Sequence, residues 1–397
     1  MRLALIADTF PPLRTSGAVQ LRDLSREFVR QGHELTVLLP AAGLDQPWQL
    51  DTYDGAQVLR LRAPETKNIG YVRRTLAELT MPFAMRRNLR RSPLGDQRWD
   101  GVIWYSPSIF HGPLVAALKR ASGCRSYLII RDIFPEWAAD MGLMSRGAAY
   151  RFFRTVAEYQ YSVADTIGVQ TPGNMAYFSR WKEKNGRTLV VLPNWLGEAG
   201  SAPCPIRVAD TPLSGRKIFV YAGNMGVAQN MDVIIQLAER CHNRNDIGFL
   251  LVGRGSEVPR LKRNVEDLGL TNVVFHDEID PDEIHDLYAQ CDYGIVTLDP
   301  RHKSHNIPGK FLTYMQSGTP VLAVINQGND LAGMIREYQV GEVSEDCDID
   351  TVYDHAERLL ASDIDRLALR NRCTHLFRKS FSVQTTVASI VSCLRNE

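Results

Sequence analysis

Short apolar runs alternate along this chain with stretches whose apolar residues recur at helical spacing. That pattern belongs to strand–helix units that assemble parallel sheets. RLALIA at the N-terminus reads as a buried strand, and the Pro- and Gly-containing DTFPPLRTSG reads as the loop after it. Residues 18–31 then place Leu21, Leu24 and Phe28 at i, i+3 and i+7, which predicts a helix. Gly32 suits its C-terminal stop, and ELTVLLP is the next strand. Further apolar runs follow at 101–106 (GVIWYS), 127–132 (YLIIRD), 166–171 (TIGVQT) and 189–194 (LVVLPN). The pattern lapses over LGEAGSAPCPIRVADTPLSG, residues 196–215, which reads as an interdomain linker. A second series begins at KIFVYAGN and continues through a helix at 230–242, IGFLLVGRG, a helix at 256–268, VVFHDE, a helix at 281–290, YGIVTL, a helix at 308–317 and PVLAVI. The expected fold class is therefore α/β: two doubly wound parallel-sheet domains facing a central cleft. Residues 1–200 would form the first domain, 201–380 the second, and 381–397 a C-terminal helix packing back on the first. Such sheets bind ligands at the carboxyl ends of their strands.

Composition supports this picture. Among 397 residues, 44% are hydrophobic and 23% charged, an ordinary globular balance that excludes a disordered or fibrous chain. No uncharged apolar run approaches the ~20 residues of a membrane-spanning helix. The N-terminus reads as a first strand, not a signal peptide. Seven cysteines lack CxxC spacing, which points to the reducing cytoplasm and away from a zinc site or a disulfide frame. His33, His111, His276 and His305 show no metal-ligand spacing. The net charge of +1 argues against nucleic acid as a partner. It conceals an asymmetry: residues 1–205 carry 26 Lys and Arg against 18 Asp and Glu, whereas residues 206–397 carry 20 against 27. The basic half is the candidate for an anionic partner.

Six segments carry candidate chemistry. Ser16-Gly17 lies between a strand and a helix, where a ligand can approach the backbone; an ordinary tight loop is the alternative. YAGNMGVAQN offers Gly223, Gly226, Asn224 and Gln229 in a second strand-to-helix loop, whose amides suit a diphosphate or simply form a turn. VGRGSE fails the dinucleotide fingerprint for want of a third Gly, but Gly253 and Arg254 could face an anion; the alternative is a solvated turn. In HKSHNIPGKFLTYMQSGTPV, Pro308 suits the first helical position and Lys310 falls in the first turn, where the helix dipole disfavours a cation. A Lys held against that bias makes sense if an anion docks at the same N-terminus; a tolerated surface Lys is the plainer reading. Asp132 in RDIFPEW ends an apolar run and either points into a cleft or caps the next helix. Finally, KNIGYVRRTLAELTMPFAMRRNLRRSP, residues 67–93, holds seven basic residues and one acid, including Arg73, Arg74, Arg86, Arg87, Arg90 and Arg91. It reads as an amphipathic segment on an anionic membrane surface, interrupted at Pro82, or as a solvated helical hairpin.

In order along the chain, DTFPPLRTSGAVQLRDLSREFVRQGHELTVL, YLIIRDIFPEW, ADTIGVQTPGNMAYF, VLPNW, YAGNMGVAQN, LLVGRGSE and IPGKFLTYMQSGTPV resemble a family 4 glycosyltransferase of the GT-B fold, with two Rossmann-like domains. RDIFPEW and GNMGVAQ are similar to the branch that transfers N-acetylated aminosugars, including N-acetylfucosamine, in O-antigen or capsule assembly. The resemblance implies a nucleotide-sugar donor, UDP preferred, on the C-terminal domain and a lipid-linked saccharide acceptor on the N-terminal one. It implies retention of anomeric configuration without metal or cofactor, at the inner face of the cell membrane. Asn224, Gln229, Arg254, Lys310 and the amides near Gly309 would line the diphosphate, alongside Gly223, Gly253, Asn306 and Pro308. Glu278 would lie near the base, and Ser16 and Gly17 would close over the donor. Three departures stand out. Asn224 and Gln229 replace the common Arg and Lys. His305 and Thr313 occupy the positions of paired glutamates, the second of which usually grips the ribose. Arg131-Asp132 replaces an HD or HE pair.

Breaking a sugar–phosphate bond builds positive charge on the sugar and negative charge on the leaving diphosphate. Lys310, Arg254 and helix N-termini could stabilise the latter, one such donor being worth ~2.7–4 kcal/mol. The leaving phosphate could take the acceptor proton, which accords with a sequence that shows no obvious base. Two alternatives remain on sequence grounds: a nucleotide-sugar epimerase on the same fold, for which Asp132 is the candidate carboxylate, and a non-catalytic scaffold with a decayed donor site.

Overall fold

The computed structural model describes residues 1–13, 15–67, 69–140, 142–185, 187–300, 307–361 and 366–395. The chain divides into two compact units, Met1–Gly197 with Val383–Glu397, and Glu198–Ser382.

The first unit runs β1 (Arg2–Ile6), α1 (Ser16–Arg30), β2 (Glu34–Ala41), β3 (Trp48–Tyr53), β4 (Ala56–Arg62), α2 (Tyr71–Leu89), β5 (Gly101–Tyr105), α3 (Gly112–Ser122), β6 (Arg125–Ile129), α4 (Glu136–Asp140), α5 (Ala148–Val163), β7 (Thr166–Val169), α6 (Pro172–Asn185) and β8 (Thr188–Val191). Its sheet has the order β3-β4-β2-β1-β5-β6-β7-β8, parallel except for the antiparallel edge strand β3. Successive residues of β1 feed opposite faces: Leu3 and Leu5, with Ala7 just beyond the strand, join the core that contains Phe28 and Trp195, while Ala4 and Ile6 join the core that contains Trp104 and Met85. Burial on both faces is why β1 reads as a continuous apolar run.

The second unit runs β9 (Lys217–Ala222), α7 (Asp232–Arg240), β10 (Ile247–Val252), α8 (Val258–Asp267), β11 (Val273–His276), α9 (Ile284–Ala289), β12 (Tyr293–Thr297), α10 (Gly309–Ser317), β13 (Val321–Val324), α11 (Asp330–Tyr338), β14 (Gly341–Ser344), α12 (Ile349–Ala361) and α13 (Arg366–Ser380). Its sheet is wholly parallel, in the order β11-β10-β9-β12-β13-β14. The last helix, α14 (Val383–Arg395), returns to the first unit, where Val387 and Ile390 share a core with Leu21 and Leu24 of α1. In each sheet the strand order reverses once, between β1 and β5 and between β9 and β12, and the carboxyl ends of those pairs are where an open α/β sheet leaves room for a ligand.

Several sequence expectations are corrected. Residues 200–213 are not a free linker. Cys204, Ile206, Val208 and Leu213 are buried, and the amides of Ala202, Cys204 and Val208 donate to Asp282, Asp286 and Gln290. The every-second-residue spacing of the first three marks an extended arm packed on its own unit. The helix expected at 230–242 is a 3₁₀ turn at Val227–Gln229, then α7, because Asn230 takes a left-handed backbone (φ 45°). The helix expected at 281–290 likewise begins as a 3₁₀ turn, Pro281–Glu283. Pro308 is the N-cap of α10 and not its first residue. Pro82 does not interrupt α2, which is one continuous helix from Tyr71 to Leu89.

Candidate functional site

In the second unit the loops after β9 and β10 lie backbone against backbone. The Gly223 amide donates to the Val252 carbonyl at 2.9 Å and the Met225 amide to the Arg254 carbonyl at 2.8 Å. A Cβ on Gly253 would stand 2.0 Å from the Gly223 oxygen, and one on Gly255 would stand 2.1 Å from the Met225 oxygen. Both glycines have positive φ, 137° and 156°. The two loops can meet only because these residues lack side chains. The Gln229 side-chain oxygen accepts from the Asn224 amide group at 3.1 Å and from the Gly226 backbone at 3.0 Å, so Gln229 braces the loop. The Tyr221 hydroxyl donates to the Asn224 carbonyl at 2.5 Å.

Helix α10 starts beside that loop. Phe311, Leu312, Tyr314 and Met315 are fully buried, and the Tyr314 hydroxyl donates to the carbonyls of Val220 at 2.9 Å and Ile295 at 3.3 Å, tying the helix to β9 and β12. These anchors fix Lys310. Its ammonium lies 3.5 Å from the centre of the Tyr221 ring, and a Cβ on Gly223 would be 4.0 Å from its Nζ. Burial lowers the Lys310 ammonium from the usual lysine range to about 7. Among the described residues no carboxylate pairs with it. The first turn of α10 carries no acidic residue, so the amides at Gly309 and beyond, the helix dipole and Lys310 all offer positive character at one point.

The remaining second-unit candidates are placed as follows. Arg254 and Glu278, at the ends of β10 and β11, pair through Nε and Oε2 at 3.1 Å, and both are exposed. An exposed pair of this kind is worth ~0.2–1 kcal/mol and exchanges readily for a better anion. The Thr313 hydroxyl donates to the Gly309 carbonyl at 3.4 Å, a bond within its own helix. Asn306, with His305, lies outside the described residues.

In the first unit, Ser16 and Gly17 open α1. Thr15 is the N-cap, its hydroxyl accepting from the Ala18 amide at 3.2 Å. A Cβ on Gly17 would stand 3.2 Å from Thr9 Cγ2 and 3.4 Å from the Tyr105 hydroxyl, so the glycine lets the helix start pack closely. Asp132 follows β6 and lies four residues before the first residue of α4, which sets aside the capping reading. Desolvation raises its carboxyl above the ordinary range against the pull of Arg131. Arg131 is buried, its guanidinium stacked 4.4 Å from the Trp195 ring centre. Sequence reasoning missed a pair at the β1–β5 reversal: His111 Nε2 lies 2.7 Å from Asp8 Oδ1. Asp8, two residues beyond the apolar strand β1, was the available signal; His111 lies six residues past the end of β5, at the start of α3, and carries no comparable cue.

Helix α2 presents two different faces. Ala77, Met81, Met85 and Leu89 are buried, whereas Tyr71, Val72, Leu76 and Phe83 are exposed together with Arg73, Arg86, Arg87, Arg90 and Arg91 nearby. Arg74 is committed to Glu78 through a 2.9 Å ion pair. Among the described residues no helix is long and apolar enough to cross a membrane, and no group of His, Cys, Asp or Glu could hold a metal ion.

Comparison with known proteins converges on one assignment. The family described as "Glycosyl transferase 4-like domain" matches residues 16–195, and "Glycosyl transferases group 1" matches residues 216–362. The chain is 26% identical over 231 residues to "Probable glycosyltransferase WbjE" of Pseudomonas aeruginosa, an alignment covering 56% of this chain and 57% of that protein. The chain thus spans little more than half the length of that relative. Two solved structures share the fold over the whole chain. One is trehalose-6-phosphate from E. coli, as its description reads, bound with UDP-2-fluoro glucose (TM-score 0.70, 14% identity, 100% of this chain and 99% of that one). The other is WaaG, described as a glycosyltransferase involved in lipopolysaccharide biosynthesis (TM-score 0.63, 14% identity, 100% of both chains).

Proposed function

Because the chain belongs to the family 4 glycosyltransferases, we propose that it moves a sugar from a nucleotide diphosphate, UDP preferred, to a lipid-linked saccharide in surface-polysaccharide assembly. The observation that carries this reading is the Lys310 ammonium, set against Tyr221 at the start of α10, beside the Gly223 loop and without a carboxylate partner among the described residues. An ammonium desolvated in that way is poorly compensated, and a bound diphosphate stabilises its charged form. Amides at the α10 N-terminus would bind the same anion, and Arg254 would reach it by exchanging Glu278.

The leaving diphosphate gains negative charge as the sugar bond breaks, so cations already held in place stabilise the transition state more than the bound donor. This electrostatic work needs no metal. We read the transfer as retaining, with the leaving phosphate accepting the acceptor's proton, and the sugar as an N-acetylated aminosugar, on the similarity of RDIFPEW and GNMGVAQ to that branch. The exposed apolar and basic side of α2 would hold the protein on an anionic membrane, within reach of a lipid-linked acceptor.

Titration calorimetry with UDP and GDP tests the assignment. UDP should bind, GDP more weakly, and Lys310→Ala should lose ~1.5–3 kcal/mol of affinity, the usual range for a hydrogen bond to a charged group. Absence of binding by either nucleotide would leave the scaffold reading standing. Conversion of free donor without acceptor would favour the epimerase.

A further inference from the structure

Asp8 and His111 lie in the connections that follow two neighbouring parallel strands, β1 and β5, where the order of the first sheet reverses. β1 pairs with β5 from Leu3–Gly101 to Ile6–Trp104; Asp8 follows β1 by two residues, and His111 is the N-cap of α3. The His111 side chain is 0% exposed and that of Asp8 36% exposed, so a fully buried ring holds a carboxylate that reaches solvent. His111 Nδ1 is buried and has no hydrogen-bond partner among the described residues. A proton there would be an orphaned donor costing ~1–3 kcal/mol, so the ring carries its proton on Nε2 and donates it to Asp8.

The surroundings keep Asp8 charged. Burial alone would raise its carboxyl, but the field and hydrogen bond of His111, a hydrogen bond from Ser108 and the charge of Lys67 outweigh that and hold it below the ordinary range. Glu78 of α2 shares the neighbourhood and is occupied by Arg74. Among the described residues Asp8 caps no helix and joins no strand ladder, and a buried imidazole with one unmet nitrogen fixes its direction.

We propose that Asp8 is the acceptor-binding carboxylate of this protein: it accepts a hydrogen bond from the attacking hydroxyl of a saccharide and orients it, with His111 as the positioning residue. The substrate class is a neutral sugar hydroxyl, whose O–H is the donor that an ionised, partly exposed carboxylate lacks. The proton stays on its oxygen in this complex. The inference rests on the transferase reading above and adds a named acceptor contact in the first unit, where the sequence showed none.

The test uses the full chain, UDP as the donor-side probe, and UDP release from UDP-N-acetylglucosamine and UDP-N-acetylgalactosamine with octyl β-D-glycosides or water as acceptor. Asp8→Asn, isosteric and at a partly exposed position, should leave the Kd for UDP within twofold and lower kcat/KM for the glycoside about 30-fold (~2 kcal/mol). His111→Gln, which can place an amide donor near the Nε2 position, should keep most of the glycoside kcat/KM; His111→Leu should lose about tenfold, again with UDP affinity intact. A merely structural His111 would lower Tm in both variants without this split. Asp8→Asn within threefold of wild type, or wild-type turnover no faster with glycosides than with water, overturns the proposal and leaves the donor site standing. Failure of wild type to bind UDP removes the reading beneath it.

Discussion

The Lys310 ammonium lies 3.5 Å from the centre of the Tyr221 ring, a cation held on an aromatic face at the point where the second sheet reverses. A desolvated contact of this kind is worth ~2 kcal/mol, which is less than burying an ammonium forfeits. The lysine therefore titrates at about 7. Between that value and the ordinary lysine range the free protein carries a neutral amine. An anion bound beside it restores the charge, so binding must take up a proton.

The sign follows directly. Above pH 7, and below the pKa of Lys310 in the complex, each unit of pH should weaken UDP by up to about tenfold. Titration calorimetry at pH 8 in buffers of different ionisation enthalpy should show uptake approaching one proton. Lys310→Arg, always charged, should abolish both the uptake and this part of the slope. A wild-type Kd as flat as that of the arginine variant from pH 7 to 9 would contradict the account.

Gly253 and Gly255 make a second prediction. An added methyl would meet the Gly223 and Met225 carbonyls at 2.0 and 2.1 Å, in backbone conformations with positive φ. Backbone cannot step aside as the far end of a side chain can. Gly253→Ala and Gly255→Ala should each destabilise the protein by ~1–3 kcal/mol. They should also cost more than tenfold in UDP affinity, because Gly223 borders Lys310. Chemical denaturation followed by calorimetry checks both, and Gly269→Ala, with open space around its Cβ but also a positive φ, controls for strain alone.

Much of this was readable from sequence where burial is two-sided. β1, β5, β9 and β10 appear as apolar runs because both faces are covered, and the loops that follow them stand out by their glycines. Lys310 was legible because a cation in a first helical turn contradicts the dipole. Its partner Tyr221 was not, since it reads as one more apolar strand residue. Asp8 and His111 are 103 positions apart and meet only because β1 and β5 are neighbours in the sheet. No local periodicity encodes that adjacency. In 196–215 the Pro and Gly residues conceal a two-residue alternation, and in α2 the presence of Pro82 conceals the continuity of the helix.

Thr313 supports a gain-of-binding prediction. Its hydroxyl is spent on the Gly309 carbonyl, one turn back in the same helix. In the family the resemblance points to, a Glu at this position grips the ribose. Thr313→Glu should strengthen UDP by roughly 1.5–3 kcal/mol at most, the worth of charged hydrogen bonds. The gain should be smaller for 2′-deoxyuridine diphosphate. Equal affinities of wild type and variant for UDP would mean that the ribose lies away from this face of α10.

The outer side of α2 distinguishes a membrane surface from a solvated helix. Val72, Leu76 and Phe83 fall on one stripe at i, i+4 and i+11, exposed while Met81 and Met85 of the same helix are buried. Arg86, Arg87, Arg90 and Arg91 extend the end of that helix with positive charge, worth ~1 kcal/mol each near an anionic leaflet. Apolar insertion and charge attraction make separable demands. Charge reversal of the four arginines to Glu should abolish sedimentation with phosphatidylglycerol vesicles and leave the little binding to phosphatidylcholine unchanged. Leu76→Ser with Phe83→Ser should weaken sedimentation with both lipids and persist at high salt, where the arginine contribution is already screened. Because these side chains point away from the core, Tm should shift by less than ~0.5 kcal/mol equivalent in either variant. Unchanged sedimentation in both would mark the helix as a solvated face and remove the proposed route to a lipid-linked acceptor.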